Sequence, residues 1–500
     1  MTVLKATAKA QRARRAVKEK DMKRITFRII ATVSITALLA TGCVVGPNFK
    51  APKVAVPTEW NGVGSASSDN ASIPTADAAR LSEWWKSFKD PELDSIITQA
   101  LQSNPGLRQA QSRILQARQA RLIAASGLLP SANVSTSNTT SNSSGSSLSA
   151  GGSTRNLFQA GLDAAWELDF FGGIRRGIEA AEADTQAAIE DSRDVMVSLT
   201  AETALNYMEL RGFQQQIAIA KKNLEAQQKS AEITQKRFDV GFAGKLDVAN
   251  ADAQVATTQS QIPLLESSAQ QTIYNLSVLL GREPAALLSE LSPQGDIPGT
   301  PPVVPVGLPS DLLERRPDIR SSLAQLHSAT AQIGVATAEL FPKFSLTGTG
   351  GQQNLSMGSL GSLASRFWSF GPSISLPIFS GGRIRANIQL QTAAQQEAAL
   401  GYEQTVLTAL KDVESALVAY NKEQQHRSAL QAAVRSSQQA VDLSMQLYTA
   451  GQGDFLNVLT AQRDLYASED ALVQSNRNVD ANLIALYKAL GGGWQNGTQP

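Results

Sequence analysis

Two stretches of this chain, 174–240 and 384–449, each run for about 66 residues with no proline. Only Gly177 and Gly212 weaken the first as a helix. At 1.5 Å per residue such a helix spans roughly 100 Å. No compact domain needs that length, so helices of this kind must pack side by side as coiled coil. Gly241-Phe242-Ala243-Gly244 ends the first run and Gly451–Gly453 the second, because glycine clusters punctuate helices. Further helices are predicted over 246–280 and 455–490, with Pro263 expected to kink its helix.

The parts recur because the chain is a tandem duplication. Asn104-Pro105 matches Arg316-Pro317, Arg108 matches Arg320, and Ala117, Ala124 and Pro130 match Ala329, Ala336 and Pro342, all offset by 212. Gly241, Leu246, Val248, Ala251 and Gly281 match Gly451, Leu456, Val458, Ala461 and Gly491, all offset by 210. A period this long excludes a solenoid. It describes two copies of one substantial unit, 81–298 and 299–494. Each opens on a helical segment, 93–127 or 311–340, followed by two short strands, which are expected at 344–350 and 366–379 in the second copy.

The strands carry a second pattern. From Phe158 to Phe170 one face reads Phe158, Ala160, Leu162, Ala164, Trp166, Leu168, Phe170, and the other Gln159, Gly161, Asp163, Ala165, Glu167, Asp169. From Trp368 to Ile378 one face reads Trp368, Phe370, Pro372, Ile374, Leu376, Ile378, and the other Ser369, Gly371, Ser373, Ser375, Pro377. Ala132, Val134 and Thr136 oppose Ser131, Asn133 and Ser135, and Phe344 and Leu346 oppose Ser345 and Thr347. Apolar-out, polar-in alternation at this length, with Trp and Phe near the ends, is the pattern of a transmembrane β-strand. Phe158, Trp166, Phe170, Trp368 and Phe370 are then the membrane-facing anchors. A soluble sandwich strand with one buried face shows the same alternation. The amino terminus and the absence of further predicted strands weigh toward the membrane. Four strands cannot close a barrel with a lumen, and open edges are not tolerated in lipid. Three chains supply 12 strands, an even number within the range of such barrels. Periodicity alone therefore leads to an oligomeric outer-membrane pore with a wet lumen and a long helical tube.

The amino terminus fits that destination. Lys23, Arg24 and Arg28 precede the apolar stretch Ile29–Ala40, which suits a signal peptide and is too short for a membrane span. Met22 offers an alternative start, and residues 1–42 are read as signal sequence. The stretch ends in Leu39-Ala40-Thr41-Gly42-Cys43. It resembles a lipobox, although the usual Leu three before the Cys is Ala40 here. Cys43 is the only Cys, so the sole cofactor expected is a covalent lipid on Cys43, which anchors stably when several acyl chains are attached. Val44 stands where an inner-membrane retention signal would place Asp. Residues 43–80 read as an extended tether, and 495–500 as a tail.

Composition removes other classes. Lys and Arg number 45 against 44 Asp and Glu, but residues 1–42 hold 10 basic and 2 acidic side chains, leaving a net −7 on the rest. Nucleic-acid binding has no basic excess to draw on. One Cys and two distant His, His327 and His426, exclude a multi-thiolate or multi-His metal centre. Neither His has a nucleophile or carboxylate at a recognisable spacing, and no phosphate-binding glycine loop follows a strand, so no catalytic residue and no metal site is assigned. Six per cent aromatic content suits long helices better than a large globular core.

Several blocks resemble a known family. They are Val45-Gly46-Pro47-Asn48-Phe49, Trp84-Trp85 with Phe88 and Asp90-Pro91, and Trp166-Glu167-Leu168-Asp169-Phe170-Phe171-Gly172. Then come Gly307-Leu308-Pro309-Ser310-Asp311-Leu312-Leu313 with Arg315-Arg316-Pro317-Asp318-Ile319-Arg320, Phe341-Pro342, and Tyr487-Lys488-Ala489-Leu490-Gly491-Gly492-Gly493-Trp494. From Cys43 to Trp494 the chain resembles the outer membrane factors of tripartite efflux systems, in the TolC superfamily, nearest the OprM/NodT-type lipoproteins. The resemblance implies a mainly α fold with membrane β: a homotrimer sharing a 12-stranded β-barrel, four strands per chain, above a periplasmic coiled-coil α-barrel. It implies a lipid-anchored duct in the bacterial outer membrane. It implies that a periplasmic adaptor (membrane fusion) protein docks at the helical tips, Gly241, Gly244, Asp247, Gly451 and Gly453, and that an inner-membrane pump supplies the energy. It implies a periplasmic gate at Leu456, Asn457, Thr460 and Arg463, where Thr460 replaces an Asp common in OprM-like members. Arg463 could instead pair with Asp464 or Glu469 on the outer face. Trp84-Trp85 is assigned a packing role. Two other readings share the features: the duct of a type I protein exporter, and a non-conducting coiled-coil lipoprotein. Drugs, metals and other small molecules remain open as cargo.

Overall fold

The computed structural model describes residues 44–61, 73–75, 81–142, 154–299, 301 and 303–494. The signal sequence, Cys43, most of the second half of the tether and the tail 495–500 lie outside the described residues.

The duplication is visible as pairs of equal helices. Helix α1 (Pro91–Ser103) and α2 (Pro105–Ser126) are followed by strands β2 (Ser131–Asn142) and β3 (Thr154–Leu168), then α3 (Gly173–Asp239) and α4 (Lys245–Leu279). The second copy gives α6 (Leu312–Arg315), α7 (Pro317–Ala338), β5 (Lys343–Asn354), β6 (Arg366–Ser375), α8 (Arg383–Thr449) and α9 (Phe455–Ala489). Helices α3 and α8 each have 67 residues, α4 and α9 each 35, and α2 and α7 each 22. The one-turn helix α5 (Leu288–Leu291) and the short parallel pair β1 (Ile73–Thr75) and β4 (Val303–Pro305) lie outside this doubling.

The helical stretch expected over 93–127 is two helices, because Pro105 forces Asn104 out of helical geometry to φ −59°, ψ 125°. Asn104 then bridges the break, accepting from the Leu107 N–H at 3.0 Å and donating from Nδ2 to the Leu279 carbonyl at 2.8 Å. Arg316 before Pro317 repeats the interruption at φ −73°, ψ 121°. Helix α4, by contrast, continues through Pro263.

The chain divides into two compact units, and neither is a repeat. One holds residues 44–50, Ala117–Thr185 and Gln325–Ala398; the other holds Ala51–Gln116, Gln186–Ala324 and 399–494. Each takes segments from both copies, because a helix of coiled-coil length finds its partner in the other repeat.

In the first unit the four strands form one antiparallel sheet in the order β2-β3-β5-β6. Its register aligns Val134, Leu162, Gly350 and Trp368 at one level, and Asn133, Asp163, Thr349 and Ser369 at the next residue along. The segment after Val44 is pinned to this unit. The Val45 N–H donates to the Phe171 carbonyl at 3.1 Å, Arg176 donates to the carbonyls of Val45 and Gly46 and to Asn48 Oδ1, and Phe49 stacks on His327 at 4.3 Å.

In the second unit the core gathers the aromatic block. Trp84 stacks on Tyr487 at 5.0 Å and meets Trp85 edge to face, all three buried. Arg193 and Arg320 lie over Trp494 at 4.6 and 5.2 Å. Asp90 caps α1 by accepting from the Glu92 and Leu93 N–H groups, and its other oxygen accepts from the Tyr207 hydroxyl. The Trp84-Trp85 pair is therefore packing, as the sequence suggests.

Candidate channel surfaces and gate

Three surfaces built by these elements bear on function. The first is the strand face carrying Trp368 and Phe370, which are 83% and 69% exposed. The same face of β6 continues through Pro372 and Ile374, and the register places beside it Val134, Leu162, Trp166 and Leu346 on the other strands, with small residues Ala132, Ala164, Gly348 and Gly350 between. Four levels of this face, from Leu168–Phe344–Ile374 to Val134–Leu162–Gly350–Trp368, are apolar. They cover about 20 Å along the strands. The next level, Thr136–Ala160–Gln352–Arg366, turns polar. The Trp166 Nε1–H donates to the Leu128 carbonyl at 2.9 Å, so its ring keeps a polar handle at one edge of the band. Phe158 lies on the same face of β3 beyond the band. Phe170 is not a strand residue: β3 ends at Leu168, and the Phe170 ring packs edge-on against Phe344 at 4.8 Å. The reason is local, since Asp169 turns away to hold Arg175 through its backbone N–H and its guanidinium. Strand β6 stops at Ser375, which pairs with Lys343 at the start of β5, before Leu376-Pro377-Ile378. The opposite face of the sheet carries Ser, Thr, Asn and Gln, as the alternation predicts.

The second surface is the pair of hairpin tips. Gly241 and Gly451 sit at φ +84° and +76°. Each closes its helix with matched bonds, Gly241 N–H to Phe238 and Phe242 N–H to Arg237, and Gly451 N–H to Tyr448 and Gln452 N–H to Leu447. This left-handed C-terminal cap needs glycine. Asp247 accepts from the Gly244 N–H at 3.0 Å and so fixes the start of α4. Gly244 is exposed and Gly453 half-buried against Leu447. The first tip is apolar: Val240, Phe242 and Leu246 are 66%, 76% and 72% exposed. Beneath the second tip, Tyr448, Phe455, Val458, Leu459 and Ala251 form a small core. Arg237 crosses to it, stacking over Tyr448 at 4.6 Å and donating to the Tyr448 carbonyl at 2.8 Å.

The third surface is the start of α9. Leu456, Asn457, Thr460 and Arg463 are all exposed, while Val458, Leu459, Gln462 and Leu465 turn inward. Three- and four-residue spacing puts Leu456, Thr460 and Arg463 on one helix face. Thr460 bonds its own helix, donating to the Leu456 carbonyl. Arg463 pairs with neither Asp464 nor Glu469. Its Nε donates to Gln254 Oε1 on α4 at 2.6 Å, and three residues on the Tyr466 hydroxyl donates to Gln261 Oε1 at 2.8 Å. Glu469 is taken by Lys222 and Asn223 on α3. These partners, Gln254, Gln261 and Tyr466, are not legible from sequence, because glutamine is abundant on these helices and each pair spans 205 to 209 residues.

Each histidine has a carboxylate partner, His327 one that spacing hides and His426 one three residues back on its own helix, contrary to the sequence expectation of none. His327 Nε2 stands 3.0 Å from Glu179 Oε1, across 148 residues, and His426 Nδ1 stands 3.1 Å from Glu423 Oε1. Burial pushes the Glu179 carboxyl up, but hydrogen bonds from His327 and Arg176 outweigh it and hold the group below its ordinary value.

Strands with an apolar exposed band, joined in one chain to two hairpins of long helices, define a subunit of an outer-membrane channel. The chain belongs to the outer membrane efflux protein family, which it matches over residues 96–282 and 308–492, once in each repeat. It is 32% identical to Nodulation protein T of Rhizobium leguminosarum bv. trifolii over 467 residues, covering 93% of this chain and 97% of that one. It is 33% identical to the pyoverdine export outer membrane protein OpmQ of Pseudomonas aeruginosa over 455 residues, covering 89% and 93%. The solved outer-membrane channel OprN superposes with a TM-score of 0.83 at 36% identity, over 91% of this chain and 100% of that one. The fold is TolC-like, the tandem repeat is the family's own, and the protein is an outer-membrane efflux channel.

Proposed function

We propose that this chain is the exit duct of a tripartite efflux system of the resistance-nodulation-division type, passing drugs or other small molecules across the outer membrane. The observation that carries the reading is the open sheet. Its order ends at β2 on one side and β6 on the other, and one face is an apolar band. Lipid does not tolerate open edges. Pairing β6 of one copy with β2 of the next closes 12 strands in a homotrimer. The polar face then lines a wet lumen.

Cargo enters where the helical tips gather. Leu456, Asn457, Thr460 and Arg463 line the closed periplasmic end, and the Arg463–Gln254 and Tyr466–Gln261 bonds latch α9 to α4 within each copy. The tips at Gly241–Asp247 and Gly451–Gly453 receive the periplasmic adaptor, with Phe242 and Leu246 as its apolar contact. The inner-membrane pump supplies the energy, and the duct performs no catalysis. Cys43 carries the lipid; the adjoining Val44 rests against Gly172 at the foot of β3, so the acyl chains would enter the bilayer beside the strands.

A photo-crosslinking probe at Gln452, with mass spectrometry of the captured protein, tests this. The reading expects an adaptor that serves a proton-driven pump. Capture of an adaptor serving an ATP-driven exporter would move the duct to protein secretion. Self-crosslinks alone, in an assembled trimer, would remove the tip from the docking surface.

A further inference from the structure

The polar face of the sheet carries one aromatic side chain among its described strand residues, Phe367 on β6. The register sets it opposite Gly351 on β5, which is opposite Gly161 on β3. A side chain would clash with backbone at Gly351 and be tight at Gly161. A Cβ on Gly351 would stand 2.3 Å from the Ala160 carbonyl oxygen, and one on Gly161 would stand 3.2 Å from the Gly350 carbonyl oxygen. The bare backbone of two strands lets the Phe367 ring lie across the sheet, its Cζ 3.5 Å from where a Gly161 Cβ would be. The ring thus reaches the strand that bears Asp163. Asp163 is two residues from Gly161 on the same face, about 7 Å along the strand. Its carboxylate is exposed and is held by the Ser135 hydroxyl, which donates to Oδ2 at 3.1 Å. At its level stand Asn133, Thr349 and Ser369, which carry no charge. The other charged residues of this face among the described strands are Arg155, Glu167 and Lys343. Arg155 lies eight residues from Asp163 along β3. Lys343 lies six residues the other way along β5 from Thr349, the partner of Asp163.

We propose that the Phe367 ring and the Asp163 carboxylate form a subsite for aromatic organic cations on the lumenal face of the barrel. The ring offers an apolar, electron-rich surface that attracts a cation, and the carboxylate gives the charge a counterion within one molecule's length. No basic side chain of the strands stands between them. Hydroxyl and amide neighbours keep the surrounding wall wet, so an aromatic cation gains at this level what it finds at no other on the sheet. Three copies in the trimer would make the level a ring, and rings of carboxylates favour cations in pores. The inference rests on the duct reading, since it needs this face to be the lumen.

Purified full-length trimer in a planar bilayer tests it, with benzyltriethylammonium as the blocking probe added from the outer side and benzenesulfonate as the anionic control. The wild-type channel is expected to be blocked by the cation at lower concentration than by the anion. Phe367→Leu keeps the glycines covered and removes the π face, and should raise the half-blocking concentration of the cation about two- to fivefold. Asp163→Asn should raise it as well, and should lower the preference for K+ over Cl− in the reversal potential. Phe367→Tyr and Asp163→Glu should retain block. A conducting trimer in which both Phe367→Leu and Asp163→Asn leave cation block unchanged overturns the subsite while leaving the duct standing. A wild-type trimer that does not conduct overturns the duct reading, and the subsite with it.

Discussion

At the level of single residues, the side chains that tie helix to helix pair across the repeat. Arg463 and Gln254 share one hydrogen bond between α9 and α4 at an exposed position. A bond of this kind contributes about 1 kcal/mol. Gln254→Ala is therefore expected to raise the open probability of the channel about fivefold, read from single-channel recordings; an unchanged value would mean that the latch does not hold the gate. Glu179 gives a pH prediction. Its carboxyl is held below its ordinary value by His327 and Arg176 against the opposing effect of burial. A depressed carboxylate stabilises the folded state above its unfolded pKa, and that contribution is lost as pH falls through the folded value. Melting curves should show the wild type losing stability on acidification below the usual glutamate range, and Glu179→Gln should flatten that limb. Parallel curves for the two proteins would rule the linkage out. None of these partnerships follows from local spacing, because the chemistry of Gln254 or Glu179 is ordinary until a residue 148 or 209 positions away arrives beside it.

At the level of elements, helix ends were the most legible part of the chain. Proline and glycine act on their immediate neighbours: Gly241 and Gly451 mark boundaries that the structure reproduces within a residue or two, whereas Pro105 and Pro317 divide stretches that apolar spacing alone reads as single helices. Gly241 has open space around its Cα and a positive φ. Gly241→Ala should therefore cost about 1 kcal/mol through backbone strain alone, seen as a lower melting temperature with no loss of assembly. Strand ends were less legible. Alternation continues through Phe170 and Ile378 in the sequence, yet the strands stop at Leu168 and Ser375. The ladder ends where Asp169 is recruited by Arg175, a contact that alternation does not encode. The exposed Phe242 belongs to the tip as a unit. Phe242→Ser is expected to reduce adaptor capture from the Gln452 probe severalfold while leaving trimer yield unchanged, and equal capture would place the apolar contact elsewhere.

At the level of the whole molecule, one sheet faces two solvents. A charge at Phe370 would meet hydrocarbon, at about 2–4 kcal/mol for Arg near the midplane. The same charge at Ser369, one residue away, would meet the aqueous lumen. Phe370→Arg should therefore sharply lower the fraction of heat-resistant trimer extracted from outer membranes, and Ser369→Arg should not. Equal yields from the two variants would contradict the assignment of faces. The compact units also belong to this scale. The repeats that match the family at 96–282 and 308–492 are units of sequence, whereas each unit of structure draws on both.

The sequence by itself determined the inventory: two copies, helices of 67 and 35 residues, strands with one apolar and one polar face, and glycine turns at matched positions. These depend on backbone preference and on periods of 3.6, 2 and about 210 residues, which are properties of neighbours along the chain or of its duplication. The tertiary structure alone decided which helix lies against which, that Arg463 turns to Gln254 instead of Asp464, that Glu179 receives His327, and that Phe367 reaches Gly161 two strands away. Those contacts join residues roughly 150 to 210 positions apart, where no local preference reaches. Only packing, which must pair every long helix and fill every bare strand, selects them.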